Sequence, residues 1–365
     1  MEDYFTSEQF CGVIAKLQQN NKQVENATSA LIDLTITFVK LNVKVSKKDI
    51  TAFLNETVSK YQQESENMKK IDTDTLNDIG YKCASKYFCK KNNLDPAREE
   101  TLQLVNERLS KIYKFHATNG ANIENIQKNG LDPNISNEYQ DEIDLILAFF
   151  AIKSINLNKP NPETLFGWQK INCENKVSYS TTPSVSFDYA NRSPEWFSQF
   201  VGDSISFNKD HPDYTAKAFK NRNYEGAKKN LSILIDSYQL DDQQREFVWD
   251  FFERYWNKFA KSQNPSLIVI PNENKEQNDL LKKFNYADFV ENKQNVKVSD
   301  LIGSIEGMNG RGVDGQTTEK IDTSKAKYFE LPTLGFIKEK IAEIERNQQT
   351  GIQPKEVNDG EGIAI

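Results

Sequence analysis

The chain has 365 residues, of which 37% are hydrophobic, 27% charged and 11% aromatic, and its formal net charge is −7. This length favours two domains, and the apolar fraction is large enough to fill a core in each, which excludes a largely disordered chain. The 53 acidic residues outnumber the 46 basic ones. This balance argues against a nucleic-acid duplex as the principal partner, because phosphate binding needs a concentrated basic face. A local basic patch on the surface is compatible with it.

We predict neither a signal peptide nor a membrane-spanning segment. Residues 1–5 lack a basic segment followed by an apolar run, and no stretch approaches the ~18 apolar residues of a membrane span. The four cysteines are scattered without a CxxC pair, and with only two histidines no metal-ligand spacing exists. We therefore predict a soluble, cytoplasmic protein with reduced thiols and no metal. Export by a specialised secretion system that reads other signals stays open.

The first 108 residues have the pattern of a helical domain. Ser46 precedes a run of apolar residues at helical spacing, and Asp95 with Pro96 supplies a capping residue and a proline suited to a first helical turn. Other apolar stripes repeat with the same period on either side. We predict a small helical bundle over residues 1–108, with a targeting or regulatory role.

After residue 108 the pattern changes to that of a mixed α+β fold, with short β-prone runs between helical segments. The strand candidates are Lys111–His116, Lys176–Ser180, Ser266–Ile270, Val298–Glu306 and Lys325–Leu331. The helix candidates are Ile123–Asn129, Asp141–Ile155, Pro194–Val201, Thr215–Tyr238, Asp242–Lys261 and Glu276–Phe284. We predict one α+β domain over residues 109–345 and a flexible tail over 346–365. The aromatic residues of the 242–261 helix have a spacing that favours burial over a partner surface.

Three stretches of the second domain carry residues suited to chemistry. In the first, a strand candidate ends in His116, Ala117 and Thr118, and a short helical segment then leads to a Gly-Leu turn at Gly130. Ile123 and Ile126 lie in this helical segment, and the turn follows at Gly130 and Leu131.

The second stretch is a strand candidate that carries Tyr179, Ser180 and Thr181, followed by a helical run with Tyr189 and an alanine near its end. About 60 residues separate it from the histidine. Strand edges rich in serine and threonine are common, so the position of this stretch carries more weight than its composition.

The third stretch is a glycine-rich run that leads through Gln316 and Thr317 to Glu319, and then to a short turn and a final β-prone segment. Glu306, at the end of an apolar run, is the main alternative to Glu319 as a site carboxylate.

Together these stretches resemble, in content and order, the motifs of the His-containing ADP-ribosyltransferases. That group includes poly(ADP-ribose) polymerases, diphtheria-like toxins and rifampicin-modifying enzymes. The resemblance implies an ADP-ribosyltransferase-like fold with a split antiparallel β-sheet core, NAD as the substrate and no metal. It also suggests a bacterial effector or toxin delivered into a host cell, with a protein as the acceptor.

The resemblance assigns roles to individual residues. His116 would bind the adenosine ribose of NAD, because a neutral imidazole offers one donor and one acceptor to ribose hydroxyls, with Ala117 and Thr118 beside it. Tyr179 and Tyr189 would be walls of the nicotinamide pocket, since aromatic faces stack on flat rings. Ser180 and Thr181 would support that pocket from the strand.

By the same resemblance, Glu319 is the catalytic residue, because a carboxylate is needed to stabilise the positive charge that develops on the nicotinamide ribose. Gln316 and Thr317 would lie on the loop that meets the acceptor. Arginine-modifying toxins carry a second acid two residues before the catalytic glutamate. Thr317 occupies that place here, which argues against arginine as the modified residue.

Other functions remain open at this stage. On the same scaffold, the alternatives are NAD-dependent removal of a 2′-phosphate from RNA, or hydrolysis of NAD without an acceptor. A different class of function is a catalytically silent interaction protein. A phosphate-binding loop, a zinc-protease motif and a serine-hydrolase motif are all missing from the sequence.

Overall fold

The protein is described from a computed structural model. The structure describes residues 7–18, 24–42, 44–64, 71–134, 139–161, 176–191, 210–216, 218, 223–261, 265–272, 284–291, 295–309 and 314–349. The predicted helices at 194–201 and 276–284 lie almost entirely outside these residues, as does the chain from 350 onward.

The described part is mixed α+β, as predicted, and helices make up most of it. The helices are α1 Ser7–Gln18, α2 Val24–Leu41, α3 Lys47–Glu64, α4 Thr73–Asn92, α5 Glu99–Leu109, α6 Ile123–Asn129, α7 Gln140–Asn156, α8 Pro183–Asn191, α9 Tyr224–Ser237, α10 Asp242–Tyr255, α11 Tyr286–Glu291, α12 Val298–Asn309 and α13 Leu334–Gln349. The strands are β1 Tyr113–Asn119, β2 Val177–Ser180, β3 Pro265–Pro271, β4 Asp314–Thr317 and β5 Lys327–Glu330.

The five strands form one antiparallel sheet in the order β4-β2-β1-β3-β5. Strand β1 therefore lies at the centre, and β4 and β5, far apart from β1 in sequence, form the two edges. Among the described residues the strands lie in this single sheet, so the expected split of the sheet into two halves is not seen in them.

One face of the sheet packs on the helices. Phe115, Leu267 and Phe329 point from β1, β3 and β5 into a core that also contains buried residues of α1 to α5, α8, α12 and α13. Side chains alternate between the faces of a strand, so every second residue of these strands points the same way. We call this the helix-covered face.

The opposite face carries a smaller apolar cluster. Val177, Ile268 and Ile270 from the strands pack there with Ile126 of α6 and with Leu131 just beyond it. Helix α6 thus covers only part of this side, which we call the α6 face.

A third apolar cluster joins α7, α9 and α10. Phe251, Phe252, Tyr255 and Trp256 are buried in it, which confirms that the aromatic spacing of this segment reflects burial. A π-helix, Trp256–Lys261, continues α10 and contacts the 3₁₀ turn Gly120–Asn122 that follows β1.

Two sequence predictions of strand placement were wrong. Val298–Glu306 is helical in α12, because Val298, Leu301, Ile302 and Ile305 follow helical spacing and bury one stripe against α4 and α5. The stretch Asp314–Thr317, predicted as loop, is strand β4, since it pairs with β2.

Of the two helix starts predicted in the first 108 residues, the one at Ser46 is confirmed and the one at Asp95 and Pro96 is wrong. Ser46 and Asp49 exchange backbone-to-side-chain hydrogen bonds at the start of α3, which is a capping pair. Helix α5 runs from Glu99 to Leu109, and Asp95 and Pro96 lie before it in a turn, because the Asp95 side chain accepts a hydrogen bond from the Ala97 amide rather than capping the helix.

The helices of residues 1–108 share their core with α12 and α13 and with the helix-covered face of the sheet. The proposed division at residue 108 therefore remains a prediction about function, and the packing across it is continuous. No helix in the described part of the chain is long and apolar enough to cross a membrane.

A group of charged and polar side chains lies where α2, α8 and α12 meet. The carboxylate of Asp33 accepts hydrogen bonds from the amide and hydroxyl of Ser184, at 2.9 and 2.7 Å. Lys40 forms an ion pair with Glu306, at 3.3 Å between Nζ and Oε1. Burial raises the pKa of Asp33 to about 6, above its ordinary 3.8. Glu306, the alternative site carboxylate, is thus part of a helix-helix contact.

Asp33 leads to a stability prediction. Because its pKa is raised in the folded state, its contribution to stability is complete below about pH 4 and is lost as pH rises through about 6. Asp33→Asn removes the buried charge and keeps an oxygen for Ser184. We expect it to raise the free energy of unfolding at pH 8 by about 1–3 kcal/mol, with no gain below about pH 4.

Urea unfolding of both proteins across this pH range measures the effect. Asp33→Ala is the matched control: it removes the acceptor as well as the charge, and should be less stable than Asp33→Asn by about 1–3 kcal/mol. An Asn variant that is less stable than the wild type at pH 8 would contradict the expectation.

Candidate functional site on the α6 face of the sheet

The three sequence stretches singled out for chemistry come together on adjacent strands. His116 lies opposite Ile268 of β3, and Phe115 lies opposite Ser180 of β2, so the next pair along β1 and β2 is His116 with Tyr179. Tyr179 in turn lies opposite Gly315 of β4. Gly315, Tyr179 and His116 thus form one row across three strands, on the face that carries Ile268.

The geometry of His116 fixes its tautomer. Its Nδ1 lies 2.8 Å from the carbonyl oxygen of Ser178. A carbonyl only accepts, so Nδ1 carries the hydrogen and Nε2 is the acceptor of the neutral ring. Burial lowers the pKa of His116, partly offset by the bond to Ser178, which keeps the ring neutral at pH 7. The side chain therefore presents a hydrogen-bond acceptor at neutral pH.

The ring of Tyr179 lies directly over the backbone of Gly315. A Cβ atom added at Gly315 would lie 2.4 Å from Cζ and 2.5 Å from the hydroxyl oxygen of Tyr179. Any side chain at position 315 would displace the ring. The glycine of β4 is needed for this close approach and sets the position of the aromatic wall.

Glu319 lies just beyond the end of β4, exposed to solvent. Its amide donates to the hydroxyl of Thr317, at 3.0 Å, which folds the chain back at the strand end. On the strand itself, Gln316 is exposed and its side-chain amide donates to the hydroxyl of Ser178, at 3.3 Å. Thr317 lies opposite Val177, so the third stretch continues the surface of the first two.

A second connection ties the first stretch to the third. The Leu131 amide donates to the Ile321 carbonyl at 3.0 Å, and the Ile321 amide donates back at 2.9 Å. The hydroxyl of Thr323 donates to the carbonyl of Ile126 at 3.0 Å. The Gly-Leu turn after α6 therefore holds the chain two residues beyond Glu319.

The other residues assigned by resemblance have different surroundings. Thr118 is buried and its hydroxyl accepts from the side chain of Asn122, at 3.0 Å. Ala117 lies opposite Leu267 and so faces the helices. Ser180 is buried on that same face, and its hydroxyl accepts from the amide of Thr182. The side chains of Ala117 and Ser180 therefore point away from the α6 face, whereas Thr118, two residues beyond His116 on β1, lies on the α6 face and is buried against Asn122.

Thr181 follows β2 and is half-buried. Tyr189 lies in α8, whose Phe187 packs into the core on the helix-covered face. The side chain of Tyr189 lies outside the described residues. The strand register thus places Gly315, Tyr179 and His116 in one row on the α6 face. Thr118 and Thr317 lie on the same face, and Glu319 follows just beyond the end of β4.

Comparisons with known proteins found no relative of this chain. No protein-family model, curated protein or solved structure matches this chain. The site is therefore interpreted from its own geometry.

Two contributors to the site were not assigned by sequence reasoning. Lys114 lies two residues before His116 on β1, so it projects from the same face, and its Nζ stands 4.8 Å from the centroid of the Tyr179 ring. Gly315 was noted only as part of a glycine-rich run. The alternation of a strand was enough to find Lys114, whereas the role of Gly315 depended on knowing that β4 is a strand.

The described residues contain no group of three or more His, Cys, Asp or Glu side chains placed to hold a metal ion. Fit to NAD is judged from the donor set. The row offers an acceptor at His116 and the edge of an aromatic ring at Tyr179, and Glu319 adds a carboxylate. In addition, the buried hydroxyl of Tyr328 on β5 has no hydrogen-bond partner among the described residues. These groups suit a ligand with ribose hydroxyls and a flat ring.

Gly130 provides a test of how the third stretch is held. Its φ is +76°, and an added Cβ would lie 2.8 Å from the Ile321 carbonyl oxygen. We expect Gly130→Ala to lower the free energy of unfolding by about 1–3 kcal/mol, because the left-handed backbone is strained and the bridge to Ile321 must shift. Urea unfolding measures it.

Gly307→Ala is the matched control, because Gly307 lies in α12 and an added Cβ there has no neighbour within 4 Å. Alanine favours a helix over glycine by about 0.5–1 kcal/mol, so this variant should be more stable than the wild type. Equal shifts in the two variants would show that the turn at Gly130 is not under the constraint described.

Proposed function

We propose that this protein is an NAD-dependent ADP-ribosyltransferase that modifies a protein acceptor. One observation carries the proposal. The three stretches that resemble the family's motifs are scattered over the sequence, yet they occupy three adjacent strands and line one surface. The order of these strands, with Glu319 following the edge strand, supports a single site.

The reaction breaks the bond between nicotinamide and C1′ of its ribose, and the bonding electrons pass to the ring nitrogen. A nucleophilic atom of the acceptor forms a bond to C1′ and releases a proton to water. Positive charge develops on the ribose as the bond breaks.

The residues of the site have matching roles. The carboxylate of Glu319 would stabilise the developing charge and accept a hydrogen bond from a ribose hydroxyl. His116 would accept a hydrogen bond from the other ribose through Nε2, because its Nδ1 is committed to Ser178. Tyr179 would border the nicotinamide with the edge of its ring, on the α6 face that it shares with His116, because Gly315 and Lys114 lie against the faces of that ring.

The acceptor is proposed to be a macromolecule because the catalytic end of the site lies at an edge of the sheet. Gln316 and Glu319 are both exposed there, and β4 is an edge strand. A protein chain can approach such an edge without entering a closed cavity. The net charge of −7 supports a protein over a nucleic acid.

The experiment is incubation of the full chain with biotin-labelled NAD and cell lysate, with nicotinamide release measured in parallel. Transfer of label to a lysate protein, together with nicotinamide release, is the expected result. Nicotinamide release without labelling would replace the transferase by an NAD hydrolase. Failure to release nicotinamide and to bind NAD would overturn the proposal in favour of an interaction protein.

A further inference from the structure

Lys114 connects the three strands that carry the proposed site. It projects from β1 on the same face as His116, and its ammonium stands over the ring of Tyr179 on β2. That ring lies in turn over Gly315 on β4. The negative charge of Glu319, beyond β4, acts favourably on the ammonium.

The surroundings of Lys114 differ from those of an ordinary surface lysine. Its side chain is half-buried, and burial lowers its pKa from the ordinary 10.5, with Glu319 acting in the opposite direction. An apolar residue would fill the same space without that cost. A lysine can also extend its ammonium into water, yet here the ammonium lies over an aromatic face.

We propose that Lys114 is a positioning residue of this site, whose ammonium holds the Tyr179 ring against Gly315 and keeps the carboxylate of Glu319 turned toward the α6 face. This inference rests on the proposed function. The titratable groups around Lys114 in the described structure are Glu319 beyond β4, the phenol of Tyr179 beneath the ammonium and, two residues along β1, His116, which is neutral at pH 7.

This role of Lys114 predicts different effects of its loss on kcat and on KM. If Lys114 places Glu319, its loss acts mainly on the step in which charge develops, and so on kcat. Misplacement of a reacting group by about 1 Å is enough for a loss of about 100-fold. We expect Lys114→Met to lower kcat for nicotinamide release by about 10- to 100-fold, with a much smaller change in KM.

Lys114→Arg is the conservative variant. A guanidinium keeps the charge and stacks on an aromatic ring, so this variant should retain most of the wild-type kcat. It also gives a readout that a packing role would not affect. The wild-type rate should fall on the alkaline side, below pH 10.5, as the ammonium loses its proton, and this fall should be absent in the arginine variant, whose side chain does not titrate there.

Lys111→Met is the matched control, since Lys111 is an exposed lysine just before β1. Its kcat and KM should equal those of the wild type. Thermal unfolding of each variant establishes that it is folded. Should Lys114→Met fail to fold, the fall in rate at alkaline pH, which we call the alkaline limb, decides the question when the wild type is compared with Lys114→Arg.

The outcomes separate the two proposals. A wild-type chain that neither binds NAD nor releases nicotinamide overturns both. An active wild type with an equally active Lys114→Met variant overturns only the role of Lys114, as does an arginine variant that is as impaired as the methionine one. An alkaline limb shared by the wild type and Lys114→Arg would also overturn it.

Discussion

Glu319→Gln is expected to lower the rate of nicotinamide release from NAD by about 100- to 1000-fold, the loss seen when a group that stabilises transition-state charge is removed. Glutamine has nearly the same shape as glutamate and keeps a carbonyl oxygen, so the loss isolates the negative charge. Glu319 is exposed and its main-chain contact is made by its amide, so the fold should be unchanged. The measurement is steady-state release of nicotinamide at saturating NAD.

Two other glutamates serve as controls. Glu345→Gln changes an exposed glutamate on α13 and should have the wild-type rate. Glu306→Gln weakens the ion pair with Lys40, and should affect stability rather than the rate. If Glu306→Gln abolished the reaction and Glu319→Gln did not, the assignment of the catalytic carboxylate would be wrong.

Removal of residues 1–105 is expected to abolish cooperative folding of the whole chain. Most of the buried residues in the core on the helix-covered face come from α1 to α5, and the deletion would expose Phe115, Leu267 and Phe329 of the sheet. Loss of even a few buried large side chains costs several kcal/mol, against a total stability of about 5–15 kcal/mol. The measurement is a thermal scan by circular dichroism.

A truncation from the other end is the control. The predicted flexible tail began at residue 346, but α13 continues to Gln349. Deleting residues 351–365, the part of that predicted tail beyond the helix, should leave the melting temperature unchanged. A shortened chain lacking residues 1–105 that melts cooperatively and retains NAD turnover would show that the helices form a separate unit.

Sequence patterns predicted the central part of the fold well. β1, β2, β3 and β5 were each predicted within a few residues of their ends, because alternating and β-branched runs between turn residues are a local signal. The signal for the helices α1 to α5 was equally local. The order of the strands was not predicted, since pairing between β4 and β2 joins segments more than 130 residues apart.

The two errors in strand placement, at β4 and at α12, each have a physical cause. Strand β4 has the sequence Asp-Gly-Gln-Thr, in which only Thr317 favours a strand, and it forms because β2 offers it a partner. Helix α12 was mistaken for a strand because its apolar residues are dense, and only their spacing of three and four residues marks a helix.

The candidate site was likewise predicted only in part from the sequence. His116, Tyr179 and Glu319 were assigned from residue types and order and stay predictions as site residues, while the shared face of His116 and Tyr179 follows from the strand order. Ala117 and Ser180 were assigned to the site by motif position, but strand alternation turns their side chains to the helix-covered face. Lys114 was passed over because a lone lysine on a strand has no distinctive pattern.

Isothermal titration of NAD into the purified full chain tests most directly whether the α6 face of this sheet binds NAD, as we propose. We expect saturable binding of one NAD per chain, with a dissociation constant between about 1 μM and 1 mM, as is usual for enzyme substrates. His116→Ala should weaken it about 10-fold or more, since one ribose hydrogen bond is lost. A folded wild-type chain that gives no heat of binding at millimolar NAD would contradict the account.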